Sequence, residues 1–437
     1  MQKLLKIILK LLAQKVIKRY QPVVVGVTGS VGKTTAKEAI YSVLSRKFLV
    51  WRNKENFNNE LGVPMTVLDI DPKQKKLGMV GQLMRAFWLA YGLSGQEYPK
   101  VLVLELAADR PGDIGYLIEV VQPQIGVVTA VGEVPVHVVF YASPEAVAQE
   151  KAKLIEFLPQ QGGLAVLNYD DQTVLDMKEK SKAKVVTFGF SNSADVWVSD
   201  ISYFASDDSK SVGGLSFKIN QGSTFLPVRI NDLIGSHQLY GILAATAVGS
   251  HFEINLIDIS HSLENIDLPH GRMNLLRGIK NSIIIDDTYN ASPLSMHAAL
   301  DALRDFATAR DALEGAKTGR RIAVLGDMRE LGKYEVQAHQ AVGNFAAERC
   351  DILITVGLAA KFIASAAFNQ MAKENIMSFD DSKEAKSKIK EIIQENDVIL
   401  VKGSQGMRME KIVEEIMSEP ERASELLCRQ YGKWLES

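Results

Sequence analysis

The stretch GVTGSVGKTT, residues 26–35, combines glycines, a lysine and hydroxyl side chains at a spacing that could bind phosphate groups. Its three glycines would let backbone N–H groups approach phosphate oxygens closely, and the N-terminus of a following helix favours negative charge there. Lys33 would reach the β- and γ-phosphates of a nucleotide, and Thr34 would place its hydroxyl on Mg²⁺. Valine replaces the first glycine of the usual pattern, so this is a variant phosphate-binding loop. The alternative is a structural turn that binds no ligand.

Three further side chains could take part in chemistry at a metal or phosphate site. Glu105 ends the apolar run VLVLE, and a parallel sheet would place it beside the glycine-rich loop, where a carboxylate suits Mg²⁺. By sequence alone it could instead face solvent. His137 could be a packed or capping histidine, and Lys151 could be a solvated helix lysine.

Length and composition limit the class of protein. A chain of 437 residues is long for one core, so we expect two or three domains. The formal net charge is −2 and the basic residues are spread along the chain, so we expect no nucleic-acid partner. The two cysteines, Cys350 and Cys428, lie far apart, which predicts neither a zinc site nor a disulfide framework and fits a reducing cytoplasm.

Residues 1–21 predict a basic amphipathic helix, in which leucines and isoleucines recur near helical spacing with lysines between them. Lysine recurs too often for a membrane-spanning helix or a signal peptide. Two alternatives remain for residues 1–20: packing on the neighbouring domain, or peripheral contact with an anionic membrane surface, which would be the inner membrane. The apolar run from Leu77 to Leu93 is broken by Arg85 and predicts a core or lid helix.

From Pro22 onward, short strands rich in valine and isoleucine alternate with helical patterns, which indicates a mainly parallel sheet covered on both faces. The section from Asp195 to Leu233 has polar-interrupted strands and predicts an antiparallel insertion or edge sheet. Strand–helix alternation resumes near residue 268. We therefore predict an α/β protein with domains at residues 22–267 and 268–437.

Several segments resemble the Mur ligases, a family of ATP-dependent enzymes that form amide bonds, in order and in spacing. Besides the glycine-rich loop they are NFNNELGVPMTVL (56–68), DDTYNASPLSM (286–296), VLGDMRELG (324–332) and VKGSQGMRMEKIV (401–413). The resemblance runs from about residue 22 to about residue 417. It implies a central P-loop ATPase domain with a mainly parallel sheet, followed by a C-terminal Rossmann-like α/β domain.

The resemblance also implies roles for individual residues. Thr34 and Glu105 would hold one Mg²⁺, and His137 would help to hold a second. Lys151 stands where the family has a carbamylated lysine, whose anionic oxygen would be a metal ligand. Lys33, Lys151 and His137 would be the catalytic residues, with ATP as the nucleotide.

The remaining expected site residues come from the loop and from both domains. The nucleotide would be bound by Gly29, Ser30, Gly32, Lys33, Thr34, Thr35, Arg272, Asp287, Tyr289 and Asn290. The acceptor and the amine would be bound by Asn58, Asn59, Asp327, Glu330, Lys402 and Ser404.

The order of segments is closest to the family member that joins D-alanyl-D-alanine to a muramoyl tripeptide in cell-wall precursor synthesis. The glycine-rich loop follows a single helix, so we expect the family's usual N-terminal UDP-binding domain to be absent. The acceptor would carry UDP or a lipid, and the sequence does not fix the oligomeric state. The alternatives are a γ-glutamyl ligase acting on folate or polyglutamate, and a nucleotide-binding partner subunit.

Overall fold

The structure, a computed structural model, describes residues 2–54, 57–71, 76–95, 97–204, 213–264, 266–314, 319–431 and 434. Residue 56, at which one of the motifs begins, lies outside the described residues. So do residues 205–212 of the predicted antiparallel section.

Within the described residues, the first sheet has nine strands in the order β2-β3-β1-β4-β5-β6-β7-β8-β9. Strands β1 to β7 pair in parallel, and β7, β8 and β9 pair antiparallel at one edge, which confirms the predicted edge sheet. The strands are β1 (Val23–Thr28), β2 (Val50–Arg52), β3 (Val101–Glu105), β4 (Ile125–Val128), β5 (Leu164–Asn168), β6 (Lys184–Gly189), β7 (Val196–Phe204), β8 (Gly214–Gln221) and β9 (Thr224–Asn231).

Helices cover both faces of this sheet. They are α1 (Gln2–Tyr20), α2 (Lys33–Ser45), α3 (Gly62–Val67), α4 (Lys76–Tyr91), α5 (Asp113–Val121), α6 (Pro144–Phe157), α7 (Gln172–Leu175), α8 (Leu239–His251) and α9 (Leu256–Leu263). Successive strand side chains point to opposite faces: Val25 packs with α2, α8 and α9, whereas Val24 packs with α1, α3, α4 and α5. Burial on both faces explains the continuous apolar strand sequences.

The second sheet has six strands in the order β10-β11-β15-β12-β13-β14 within the described residues. Among the described strands of this sheet, β10 alone pairs antiparallel. Its strands are β10 (Asn274–Arg277), β11 (Ile283–Asp287), β12 (Arg321–Gly326), β13 (Ile352–Val356), β14 (Ile376–Phe379) and β15 (Val398–Lys402). Its helices are α10 (Pro293–Glu314), α11 (Glu335–Ala347), α12 (Lys361–Ala367), α13 (Ser382–Ile392), α14 (Glu410–Ile416) and α15 (Ala423–Leu426).

The cores of this second sheet lie on its two faces. Leu325 packs with α10, α11 and α12, and Val324 packs with α13 and α14. Two mainly parallel sheets with helices on both faces confirm the α/β fold that the sequence predicts.

Helix α1 packs on the first sheet's outer layer. Leu9, Ala13, Val16 and Ile17 are buried and share one core with α4 and α5. Packing of this helix on its neighbour, one of the two alternatives for residues 1–20, is therefore observed for one helix face. In the part of the chain that the structure describes, no helix has the length and apolar character needed to cross a membrane.

Candidate active site

The glycine-rich turn connects β1 to α2. Gly29 and Gly32 have φ values of 146° and 81°, and a Cβ atom at Gly29 would lie 2.1 Å from Thr129 Oγ1. Glycine is therefore required at this position. Helix α2 begins at Lys33, so the N–H groups of its first turn have no partner within the helix and are available to an anion.

The Lys33 side chain folds over this turn. Its Nζ donates to Gly29 O at 2.9 Å and to Ser30 O at 3.2 Å. Burial lowers the pKa of Lys33, although the nearby charge of Glu105 opposes that change. The ammonium group therefore lies directly above the turn in which phosphate oxygens would bind.

Glu105, the last residue of β3, connects the turn to the predicted acceptor side. Its Oε2 accepts a hydrogen bond from Thr34 Oγ1 and its Oε1 accepts one from Asn58 Nδ2, both at 2.9 Å. Burial by itself would raise the pKa of this carboxyl, but the charges of Lys33 and Lys37, with the Asn58 hydrogen bond, hold it below its usual value. Glu105 is therefore an oriented, ionised carboxylate.

Lys151 approaches the same turn from α6. Its side chain is buried, and Nζ donates to Gly29 O at 3.0 Å. Burial, with the charge of Lys33, lowers the pKa of Lys151 to about 7. At neutral pH a large fraction of this amine is therefore unprotonated.

His137 connects the two sheets. Its Nε2 lies 3.3 Å from Asp109 Oδ1, and its Nδ1 contacts the carboxylate of Glu330. Val139 N also donates to Glu330 O at 3.3 Å. His137 thus contacts a carboxylate from each of the two α/β units.

Arg272 and Tyr289, two of the predicted nucleotide-binding residues, lie next to each other in the second unit. The Arg272 guanidinium lies 4.1 Å from the centre of the Tyr289 ring. Arg272 Nε, Tyr289 Oη and Ser30 Oγ are buried, and none has a hydrogen-bond partner among the described residues. Buried polar groups are normally hydrogen-bonded, so these three orphaned atoms at one cleft indicate a polar ligand.

Lys402 ends β15 and contacts the turn after β11. Its Nζ pairs with Asp287 and donates to Asn290 O at 3.0 Å. Asn290 Oδ1 accepts from Ala291 N at 2.9 Å. These contacts fix the shape of the turn that carries Tyr289.

A cleft of about 300 Å³ between the two units brings most predicted residues together. Those that line it are Gly29, Ser30, Gly32, Lys33, Thr34, Thr35, Asn58, Asn59, Glu105, His137, Lys151, Arg272, Asp287, Tyr289, Asn290 and Lys402.

Asp327, Glu330 and Ser404 are not among the described residues that line this cleft. Asp327 accepts a hydrogen bond from Ala360 N at 2.7 Å, and Ser404 Oγ accepts one from Arg329 N at 2.8 Å. In this conformation both side chains stabilise loops of the second unit. Their assignment to the amine substrate stays a prediction.

Residues 27–80 and 92–249 match the family described as Mur ligase middle domain. Residues 271–405 match the family described as Mur ligase, glutamate ligase domain. This chain belongs to the Mur ligase family. The two matched regions of this Mur ligase contribute the two sides of the cleft.

Individual relatives agree with this Mur ligase over most of its length. It is 30% identical over 400 residues to the UDP-N-acetylmuramoyl-tripeptide--D-alanyl-D-alanine ligase of Bacillus subtilis, covering 91% of this chain and 76% of the relative. A MurF crystal structure from Acinetobacter baumannii superposes with a TM-score of 0.74 at 26% identity, covering 93% of this chain and 79% of the other. The MurF ligase from Thermotoga maritima in complex with ADP gives a TM-score of 0.74 at 26% identity, covering 95% and 84%.

The cleft of this Mur ligase also contains residues that the sequence did not predict. Gln238 Oε1 accepts from Thr35 Oγ1 at 2.7 Å, and its Nε2 donates to Arg272 O at 3.5 Å, so it joins the loop helix to the second unit. Asp109 and His237 also line the cleft, and burial lowers the pKa of His237 to about 4. For Asp109, the signal available was its place just after the strand that ends in Glu105.

The residues present fit a nucleoside triphosphate with a divalent cation. Oxygen donors come from Thr34 and Glu105, and the three orphaned polar atoms supply groups for phosphates or ribose. No group of three or more His, Cys, Asp or Glu residues able to hold a metal ion occurs within the described ranges. A cation here would therefore take ligands from the nucleotide, from Thr34 and from water as well as from Glu105.

Proposed function

We propose that this Mur ligase uses ATP to join D-alanyl-D-alanine to a muramoyl tripeptide of cell-wall precursor synthesis. The observation that carries the proposal is the meeting of Lys33 and Lys151 at one carbonyl, Gly29 O, in the cleft between the two units. An ordinary nucleotide-binding loop needs only the first of these amines. The name of the Bacillus subtilis relative supports the choice of substrates.

The proposed reaction has two steps. The tripeptide's terminal carboxylate attacks the γ-phosphorus of ATP, ADP leaves, and an acyl phosphate of the tripeptide forms. The amine of D-alanyl-D-alanine then attacks the acyl carbon, loses a proton, and phosphate departs as the amide bond is completed. Lys33, above the loop, would stabilise the negative charge that develops on the transferred phosphoryl group.

Two Mg²⁺ ions are proposed as cofactors, and when bound they would neutralise charge on the phosphates and on the attacking oxygen. Thr34 and Glu105 would hold one ion. His137 and the modified Lys151 would hold the other. In the present conformation His137 contacts Asp109 and Glu330, so binding a metal would require it to exchange one of these partners.

Modification of Lys151 by CO₂ forms a bond between Nζ and the carbon of CO₂ and releases one proton, which leaves an anionic carbamate. The neutral amine is the reactive form, and the pKa of about 7 supplies it at neutral pH. We expect Lys151→Ala to abolish ligation, and a small carboxylate or high bicarbonate to restore part of it. The exposed Lys180→Ala is the matched control. Full activity in the plain Lys151→Ala variant would remove the carbamate from the mechanism.

The reaction itself is tested by measuring phosphate release from ATP with a panel of acceptors and amines, together with the mass of the product. We expect release only when the muramoyl tripeptide and D-alanyl-D-alanine are both present, with one amide formed per phosphate. Release only with glutamate and a folate or polyglutamate acceptor would support the γ-glutamyl ligase instead. No stimulation by any pair would support a partner subunit.

We infer three segments from the arrangement of the sheets: the helix at 1–21, a nucleotide-binding domain at 22–267 and a ligase domain at 268–437. The first sheet ends with β9 at Asn231 and the second begins with β10 at Asn274, so the proposed boundary lies between them. Location in the cytoplasm stays a prediction. Limited proteolysis with mass spectrometry tests the boundary. If cleavage at a different position leaves two stable fragments, the boundary lies at that position instead.

A further inference from the structure

Helix α1 has a second apolar stripe besides its buried one. Leu4, Ile7, Ile8 and Leu11 recur at helical spacing and have exposed fractions of 64%, 55%, 40% and 60%. This stripe points away from the core that holds Leu9. The helix is therefore apolar on two faces, and only one of them is covered.

Helix α4 has the same organisation. Its inner residues, among them Leu89, are buried in the core that α1 also enters. Its outer stripe is exposed and contains three aromatic side chains. The outer residues are Val80, Met84, Phe87, Trp88 and Tyr91, with exposed fractions of 59%, 53%, 46%, 49% and 45%.

The two stripes form one surface, which we call the α1–α4 surface. The Lys15 ammonium lies 3.3 Å from the centre of the Tyr91 ring, and Tyr20 Oη donates to Leu89 O at 3.2 Å. Because both helices turn their inner faces to the same core, their outer faces lie on the same side of the protein. Exposed apolar area of this extent on a folded protein marks a binding surface.

The charged side chains that belong to α1 and α4 themselves have one sign. Within its bounds α1 contains six basic and no acidic residues, and α4 contains two basic and no acidic residues, although the whole chain has a net charge of −2. Lys6, Lys10 and Arg85 are paired with Glu60, Glu119 and Asp69 of neighbouring segments. No such ion pair is described for Lys3 or Lys18 in the ranges that the structure covers.

We propose that the α1–α4 surface docks on an anionic lipid membrane. Apolar and aromatic side chains flanked by lysines are the features of helices that lie in the membrane interface, with their apolar face in the acyl boundary. A symmetric contact with a second copy would instead bring the same lysine-rich surface against itself, and like charges would repel. The surface lies outside the catalytic cleft, so this proposal does not depend on the ligase reaction.

The test is sedimentation of the full chain with vesicles. One vesicle set contains phosphatidylglycerol and a matched set contains only phosphatidylcholine. We expect binding to the anionic set, weakening as salt is added. Leu11→Glu and Trp88→Glu should each lower the affinity by roughly tenfold or more, because each replaces inserted apolar area with a charge. Lys3→Gln combined with Lys18→Gln should weaken binding and reduce its salt dependence.

Ile257→Glu is the matched control, since Ile257 is 59% exposed and lies on α9, on the other face of the first sheet. It should bind vesicles as the unmodified chain does, and circular dichroism checks that every variant is folded. If the chain binds neither vesicle set, or if Leu11→Glu binds the anionic set as well as the unmodified chain does, the proposal is wrong. A different result would assign the surface to a second copy of the chain: no binding to vesicles, together with concentration-dependent dimers that Leu11→Glu abolishes.

Discussion

Replacing Lys151 with methionine should remove function and increase stability. Methionine has a similar length and no charge, so it can occupy the buried position without a desolvation penalty. Lys151 is 3% exposed and its only described side-chain partner is a carbonyl, Gly29 O. Burial of this amine therefore lowers the unfolding free energy of the unmodified protein, and Lys151→Met removes that loss.

The magnitude follows from the pKa. Folding lowers the pKa of Lys151 from 10.5 to about 7. At about 1.4 kcal/mol per pKa unit, a protonated Lys151 therefore lowers the unfolding free energy by about 5 kcal/mol relative to a neutral one. The lost hydrogen bond to Gly29 O offsets about 1 kcal/mol of this. At pH 7 and below we expect Lys151→Met to be more stable by about 3 to 4 kcal/mol.

The change of stability with pH has the opposite sign to the one expected for a lysine in an ion pair. Between pH 7 and pH 10.5 the unfolded chain binds a proton at Lys151 that the folded chain does not, so the unfolding free energy of the unmodified protein rises with pH in this window. The advantage of Lys151→Met should therefore be full below pH 7 and shrink as the pH rises. It should be lost as the pH rises past 10.5, above which the amine is neutral in both states.

The assay is urea unfolding of both proteins across this pH range in buffers freed of CO₂, so that the amine is unmodified. Lys180→Met is the control, because Lys180 forms an exposed ion pair with Glu156 and its replacement should change stability by less than about 1 kcal/mol. If the two proteins are equally stable at pH 7, or if the difference between their unfolding free energies does not change with pH, Lys151 is not a buried amine with a pKa near 7.

Three further predictions concern the cleft. Glu105→Gln should lower the ligation rate by about two to three orders of magnitude, since the proposed Mg²⁺ would lose a carboxylate ligand; phosphate release against Mg²⁺ concentration measures this. Arg272→Ala should raise the KM for ATP by about tenfold or more, and the effect should exceed that of Tyr289→Phe, which keeps the ring; unchanged ATP kinetics would contradict the placement of Arg272 at the nucleotide. Gly29→Ala should prevent nucleotide binding, because its Cβ would lie 2.1 Å from Thr129 Oγ1; calorimetry with ADP checks it.

The sequence predicts the residues that are close in the chain or at strand ends. The glycine-rich loop is a local pattern, and Glu105 follows from the rule that parallel strands end at one edge of the sheet. Gln238 could not be predicted in this way, because its partner Thr35 is 203 positions away. Its side chain belongs to the site only because α8 packs against α2.

A position at the end of a strand does not by itself make a polar residue available to a ligand, as the second unit shows. Asp327 and Ser404 follow β12 and β15, as ligand-binding residues in such sheets often do. Both side chains, however, accept hydrogen bonds from backbone N–H groups of neighbouring loops. The sequence gives the position of a polar side chain along the strand, but not whether a loop already occupies its hydrogen-bonding capacity.

Glu105 can hold a cation without losing its present partners. An ionised carboxylate offers about four acceptor positions, and Thr34 and Asn58 each occupy one, on different oxygens. No other hydrogen bond to this carboxylate side chain occurs among the described residues, which leaves the remaining positions for a cation, and the lowered pKa keeps the group ionised before any cation binds. One hydrogen bond comes from Thr34 of the glycine-rich loop and the other from Asn58 of the predicted acceptor side, so the same carboxylate connects these two segments. Glu105 is thus oriented to hold the proposed cation while it keeps both hydrogen bonds.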